Sequence, residues 1–164
     1  MKKSLIILAV VAPALFAQSG ANCKSVGGAI LTNFLDLKNP TETLGTATGD
    51  LKGGIGVKVL NFSTGPNGTL VFLNQHHWVT ESGDTLYTDS AQATAFPTGI
   101  PGLYAVSYTN GITLTGGTGR FTGASGKFTG GSGSVDLYKG QLVFRYEGQV
   151  CFPPVPAEGS GGSR

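Results

Sequence analysis

The chain has 164 residues, with 11 Lys and Arg against 9 Asp and Glu, a formal net charge of +2. That length holds one domain, and so slight a charge supplies no electrostatic footprint for nucleic acid or for an anionic membrane surface. With 27 glycines, abundant threonine and no convincing helical period beyond the N-terminal segment, the composition points to an all-β class.

Met1-Lys2-Lys3 is a basic start, and Leu5 to Phe16 is an apolar run too short to span a bilayer. Small residues follow. Cleavage after Ala21, with Ser19 at the third position before the cut, fits a secretory leader, and Ala17 is the alternative cut. Residues 1–21 are therefore expected to be a signal peptide, 22–153 a β-barrel domain and 154–164 a disordered tail. Removing Lys2 and Lys3 leaves positive and negative side chains equal in number. A secreted or periplasmic protein is expected, with no nucleic-acid partner and no membrane contact after cleavage.

Beyond the leader the chain alternates between strand patterns and turn residues. Val26 to Lys38 reads as the first strand, broken by Asn39-Pro40-Thr41. Thr43 to Thr48 is short, and Gly49-Asp50 turns the chain. Ile55 to Ser63 alternates apolar and polar side chains, and Thr64-Gly65-Pro66-Asn67-Gly68 is a hairpin signal. Thr69 to Thr80 and Thr85 to Phe96 are the next strands, separated by Glu81-Ser82-Gly83-Asp84. Pro97 to Gly102 is a loop. Leu103 to Thr109 and Ile112 to Thr115 form a strand interrupted by a break or bulge at Asn110-Gly111. Phe128 to Leu137 and Gln141 to Phe152 complete the set, and Pro153-Pro154 stops it. About eight strands with tight turns predict a closed, mostly up-and-down antiparallel β-barrel, with a β-sandwich as the alternative.

Cys23 and Cys151 are the two cysteines. In an exported chain an even count suggests a disulfide, and this one requires the first and last strands to be neighbours, as barrel closure makes them. Two cysteines so far apart do not make a metal site, and neither a metal nor a cofactor is expected.

Residues 115–126 read Thr-Gly-Gly-Thr-Gly-Arg-Phe-Thr-Gly-Ala-Ser-Gly. Gly116, Gly117 and Gly119 mark a bend, Phe121 is expected to plug the core, and Ala124 and Gly126 to permit close backbone approach. This run resembles the corner of allene oxide cyclases, and dirigent proteins carry a related version. Gly49-Asp50-Leu51-Lys52 and Phe144-Arg145-Tyr146-Glu147-Gly148 are similar to further segments of the cyclases. The resemblance spans residues 26–152 and implies a secreted bacterial branch of that barrel superfamily, with a trimer as the implied oligomer. It carries over no catalytic residue.

Of the residues that could bear chemistry, His76 and His77 stand next to each other on a strand and so face opposite ways. They cannot chelate one ion together. If the face holding Leu70, Phe72, Asn74, His76 and Trp78 is interior, His76 becomes an acid or base near neutrality, against a structural, hydrogen-bonded histidine. Asp89 interrupts a strand, and facing inward it would need a cation or donors, with Arg145 or Arg120 as partner. Arg145, Glu147 and Gln149 share the face expected to meet solvent; the reverse would make Glu147 a lumen carboxylate. No phosphate-binding loop, dinucleotide fingerprint or Gly-x-Ser-x-Gly elbow is present.

The leading expectation is a non-catalytic barrel holding a small apolar or aromatic ligand against Phe72, His76, Trp78, Tyr104 and Tyr146. The alternatives are an isomerase or cyclase using one acid or base, and a structural or interaction protein with a filled core.

Overall fold

The computed structural model describes residues 22–154, and in it the first and last strands lie side by side. Strand β1 (Asn22–Phe34) pairs antiparallel with β10 (Gln141–Phe152), from Asn22 opposite Phe152 to Asn33 opposite Gln141. Cys23 stands opposite Cys151, and the two form a disulfide across 128 residues of chain. Between them run β2 (Glu42–Ala47), β3 (Gly53–Thr64), β4 (Leu70–Thr80), β5 (Thr85–Thr88), β6 (Ala91–Pro97), β7 (Leu103–Ser107), β8 (Ile112–Gly117) and β9 (Ser125–Asp136).

These ten segments make eight staves. β5 and β6 share one stave beside β4, and β8 and β7 share one beside β9. β9 pairs with β10, so the sheet closes on itself and no edge is left bare. The sequence expectation of a closed antiparallel barrel holds, and the sandwich does not. Alternation decides the inside. β10 buries Phe144, Tyr146 and Val150, while Arg145, Glu147 and Gln149 are exposed.

Most strand boundaries move by one to four residues from the sequence expectation, the first strand among them. The first strand begins at Asn22 rather than Val26, because pairing with β10 extends to the chain's first described residue. It ends at Phe34 rather than Lys38, where the Lys38 amide donates to Asp36 Oδ1 (2.8 Å) and turns the chain out of the sheet. The stretch 85–96, expected as one strand, is broken at Asp89-Ser90. His77 opposes Tyr87, yet Asn74 opposes Ala91, so the stave carries one extra residue there. Its buried residues accordingly run Leu86, Thr88, then Ala91, Ala93, Ala95. A like shift separates Ser107–Ser132 from Ile112–Phe128, at the Asn110-Gly111 break.

The barrel end nearest the disulfide is sealed. Gly119 has φ 53° and opens a short 3-10 turn that drops Phe121, 1% exposed, into the core, where its ring stacks on Phe152 at 6.0 Å. Thr118 clamps this corner to β5 through both its backbone N–H, given to the Thr85 carbonyl, and its hydroxyl, which accepts from the Thr85 N–H. A Cβ at Gly126 would meet the Gln149 carbonyl, so glycine lets β9 approach β10. Ala124 is buried beside them. Across the same end, buried Leu51 is held by its backbone: its carbonyl accepts from Trp78 Nε1 (2.7 Å) and its N–H donates to Tyr146 Oη (3.1 Å). Tyr146 Oη in turn donates to the Thr48 carbonyl (2.8 Å). The expected leader, and the expected tail after Pro154, lie outside the described residues.

Closing so long a loop with one cross-link removes about 5 kcal/mol of denatured-state entropy in the chain-entropy treatment. The double variant Cys23→Ser/Cys151→Ser should unfold at clearly lower temperature than the oxidised wild type. An unchanged midpoint in calorimetry would mean that the staves hold their register without the link.

Candidate functional site

The inward face of β4 carries Phe72, Asn74, His76 and Trp78, and the outward face carries His77 and Val79. Pairing fixes this: Val57 on β3 opposes His76, and Ala93 on β6 opposes Phe72. Around these side chains lies a cavity of about 90 Å³. Its walls are mostly apolar, from Ile30, Ile55, Val57, Val106, Phe128 and Phe144 among others. No charged side chain lines it. Glycine makes part of the room: a Cβ at Gly131 would press on the Phe144 and Tyr108 side chains.

One end of the cavity is sealed by Trp78 and Tyr146, which meet edge to face at 5.0 Å. The other end is rimmed by the half-buried Phe34, Val59, Phe72 and Leu142. Around that mouth the loops and strand ends expose Leu35, Phe62, Phe96, Ile100 and Tyr138. The sealed end shows a polar exterior instead, with Lys52 paired to Glu81 (2.7 Å) and Arg120 to Asp84 (3.6 Å). The mouth thus carries more exposed apolar side chains than the floor, alongside the Lys139–Asp136 pair (3.4 Å).

At mid-height the lumen turns polar. Asn74 Nδ2 donates to Tyr108 Oη (2.8 Å), and Tyr108 Oη lies 3.0 Å from His76 Nε2. With Asn74 donating to the tyrosine hydroxyl and that hydroxyl donating to Nε2, the imidazole is neutral and protonated on Nδ1. The rings of His76 and Tyr108 are 5.4 Å apart, and Tyr108 meets Phe144 edge to face. Four buried polar atoms of this belt have no partner among the described residues: Thr43 Oγ1, Asn74 Oδ1, His76 Nδ1 and Thr88 Oγ1. All four side chains line the cavity. An unmet buried polar group costs about 1–3 kcal/mol, and a domain this size has only about 5–15 to spend. Four such groups in one small space are therefore a feature of the lumen and not packing noise.

The strand irregularities fall at this height. Thr88 precedes the Asp89-Ser90 bulge, and Tyr108 sits in the break between β7 and β8. Bulges re-aim side chains, and they recur beside functional sites. Tyr108, Asn74, Thr43 and Thr88 were not singled out from the sequence. The available signal was the period of two through Tyr104, Val106 and Tyr108, ending at the Asn110-Gly111 break.

The sequence-predicted residues divide. Phe72, His76, Trp78 and Tyr146 line the cavity. The Tyr146 hydroxyl is already committed to Thr48 and Leu51, so only its ring faces a molecule there. Tyr104 packs against the core near the mouth without lining the cavity. Asp89 and Glu147 are exposed on the outside, so neither can act on a molecule held within. Arg120 pairs with Asp84, not with Asp89. Among the described residues no three His, Cys, Asp or Glu side chains converge. One imidazole with neutral amide and hydroxyl neighbours lacks the anionic ligands that hold a metal.

No family model matches the chain, and no curated protein matches it. Among solved structures it is similar to a pterocarpan synthase dirigent protein at 13% identity, covering 88% of this chain and 97% of that one with a TM-score of 0.31. So slight a likeness carries nothing about chemistry.

Burial pushes His76 down to about 4 from an ordinary 6.5, with the charge of His77 adding a smaller push the same way. Burial pushes Tyr108 up to about 12, opposed by the hydrogen bond from Asn74. The folded protein thus refuses a proton that the unfolded chain accepts below about pH 6.5. Stability is complete above that pH and falls as pH drops toward 4, by about 3 kcal/mol from this group. Urea unfolding at pH 7 and pH 4 should show the loss, and His76→Gln should flatten it. A variant that keeps the full wild-type loss would assign the effect to other groups.

Proposed function

We propose that the protein binds a small apolar or aromatic molecule in its lumen and carries out no reaction on it. The observation that carries this is the uncharged cavity, walled by aromatic and aliphatic side chains and rimmed by half-buried ones at a single end. Its size limits the occupant. Drug-sized pockets hold about 300–1,000 Å³, and an engineered apolar cavity of about 150 Å³ takes benzene. At about 90 Å³ the lumen is smaller than either, so even a single ring would occupy it together with the space at the mouth.

A filled-core structural protein is the weaker alternative, since the lumen is not filled. An isomerase or cyclase is weaker still. An imidazole titrating near 4 is a feeble base and is not an acid near neutrality, and no lumen carboxylate assists it. The Cys23–Cys151 disulfide suits an oxidising compartment and supports secretion or a periplasmic location. Among the described residues no helix is long and apolar enough to cross a membrane. The glycine corner supports membership of a secreted bacterial branch of the allene oxide cyclase and dirigent barrels. The exposed Leu31, Leu44 and Val143 on the outer wall of β10, β1 and β2 offer an apolar surface for the trimer that the resemblance implies.

Toluene at millimolar concentration should raise the melting temperature and shift the methyl resonances of Val57 and Val106. Ala93→Leu, which fills the cavity beside Phe72, should abolish both effects. Toluene that shifts neither, or shifts them equally in Ala93→Leu, would rule out lumen binding.

A further inference from the structure

The hydrogen-bond chain through the lumen has two free ends. Asn74, Tyr108 and His76 are linked through one hydroxyl, Tyr108 Oη, which accepts one bond and gives one. With the amide donating to Oη and Oη donating to Nε2, the ends left over are Asn74 Oδ1, an acceptor, and His76 Nδ1–H, a donor. If the chain ran the other way, Asn74 Oδ1 would accept from Oη, and Oη would accept from Nε2–H. The ends would then be an amide N–H and a bare Nδ1, again one donor and one acceptor. Whenever Oη accepts one bond and gives one, the two ends are one donor and one acceptor, whichever way the chain runs.

Both ends are on the inward face of β4, two residues apart, and both groups are buried: Asn74 is 7% and His76 6% exposed. Thr88 Oγ1, on the stave next to β4, and Thr43 Oγ1, across β3, add two unpartnered hydroxyls in the same cavity. Apart from the Thr32 side chain, the rest of the wall is mainly hydrocarbon and aromatic ring. A purely apolar guest would leave this belt unmet, and a charged one would face a lumen with no counter-ion.

We propose that the lumen selects a neutral alcohol, whose hydroxyl completes the Asn74–Tyr108–His76 chain while its compact hydrocarbon skeleton fills the apolar space. This rests on lumen binding as proposed above and goes further by naming the group that is read. A hydroxyl both donates and accepts, so it can meet an end of either polarity. A ketone only accepts, and it always leaves one end bare. Specificity of this kind comes from the unpaired group left behind by the wrong guest.

Cyclohexanol and cyclohexanone test it, because they share a ring, a size and a similar affinity for water. Isothermal titration or chemical-shift titration of the wild-type protein should find cyclohexanol bound about tenfold more tightly. Asn74→Leu should erase that preference, and Asn74→Ala, which removes the same chain end, provides a second variant if the first does not fold. Methylcyclohexane serves as the apolar control and should not lose affinity in either variant. Equal binding of alcohol and ketone, with methylcyclohexane still binding, would overturn the alcohol assignment and leave the lumen as a general apolar site. Failure of all three to bind would overturn both.

Discussion

Everything inside the barrel depends on the register between β1 and β10. Their antiparallel pairing runs from Asn22–Phe152 to Asn33–Gln141, and the disulfide fixes it at the Cys23–Cys151 rung. A strand has a side-chain period of two, so a slip of one residue would turn Arg145 and Glu147 into the lumen and Phe144 and Tyr146 out of it. The charges would lose their water without gaining partners. Hydrophobic burial and the covalent rung thus specify the same arrangement, and the inward faces of the remaining staves follow from it.

Within that frame the barrel departs from regularity at one level. The extra residue at Asp89-Ser90 and the break after Ser107 let Thr88 and Tyr108 join Asn74 and His76 around one space. Glycines in β9 leave room there for the rings of Tyr108 and Phe144. A sheet optimised only for packing would fill this level with Leu or Val. Instead it holds a neutral imidazole, an amide and hydroxyls, which lower the stability available from the core in exchange for directional contacts.

The fold was largely legible in the sequence because its signals are local. Turn residues, alternation and the glycine corner mark the staves, and the two cysteines mark the closure. The last strand, Gln141–Phe152, was legible to the residue. The site was less so. His76 and Trp78 drew notice by residue type, but alternation alone could not say which face of 69–80 looks inward; only pairing with β3 and β6 does. Reading 85–96 as one unbroken strand hid the slip that sets Thr88 and Ala93 on the same side. Tyr108 was missed because its importance is the bond it makes to two residues more than thirty positions away.

The sealed floor has a further consequence. Asn22 and Pro154, where the described chain begins and ends, both emerge at the disulfide end, opposite the mouth. A guest bound as proposed would leave by the doorway it entered, so its exchange would be a matter of one threshold. Anything joined to either terminus, whether a surface, a second domain or an immobilising tag, would hold the cup by its base and leave its opening turned outward.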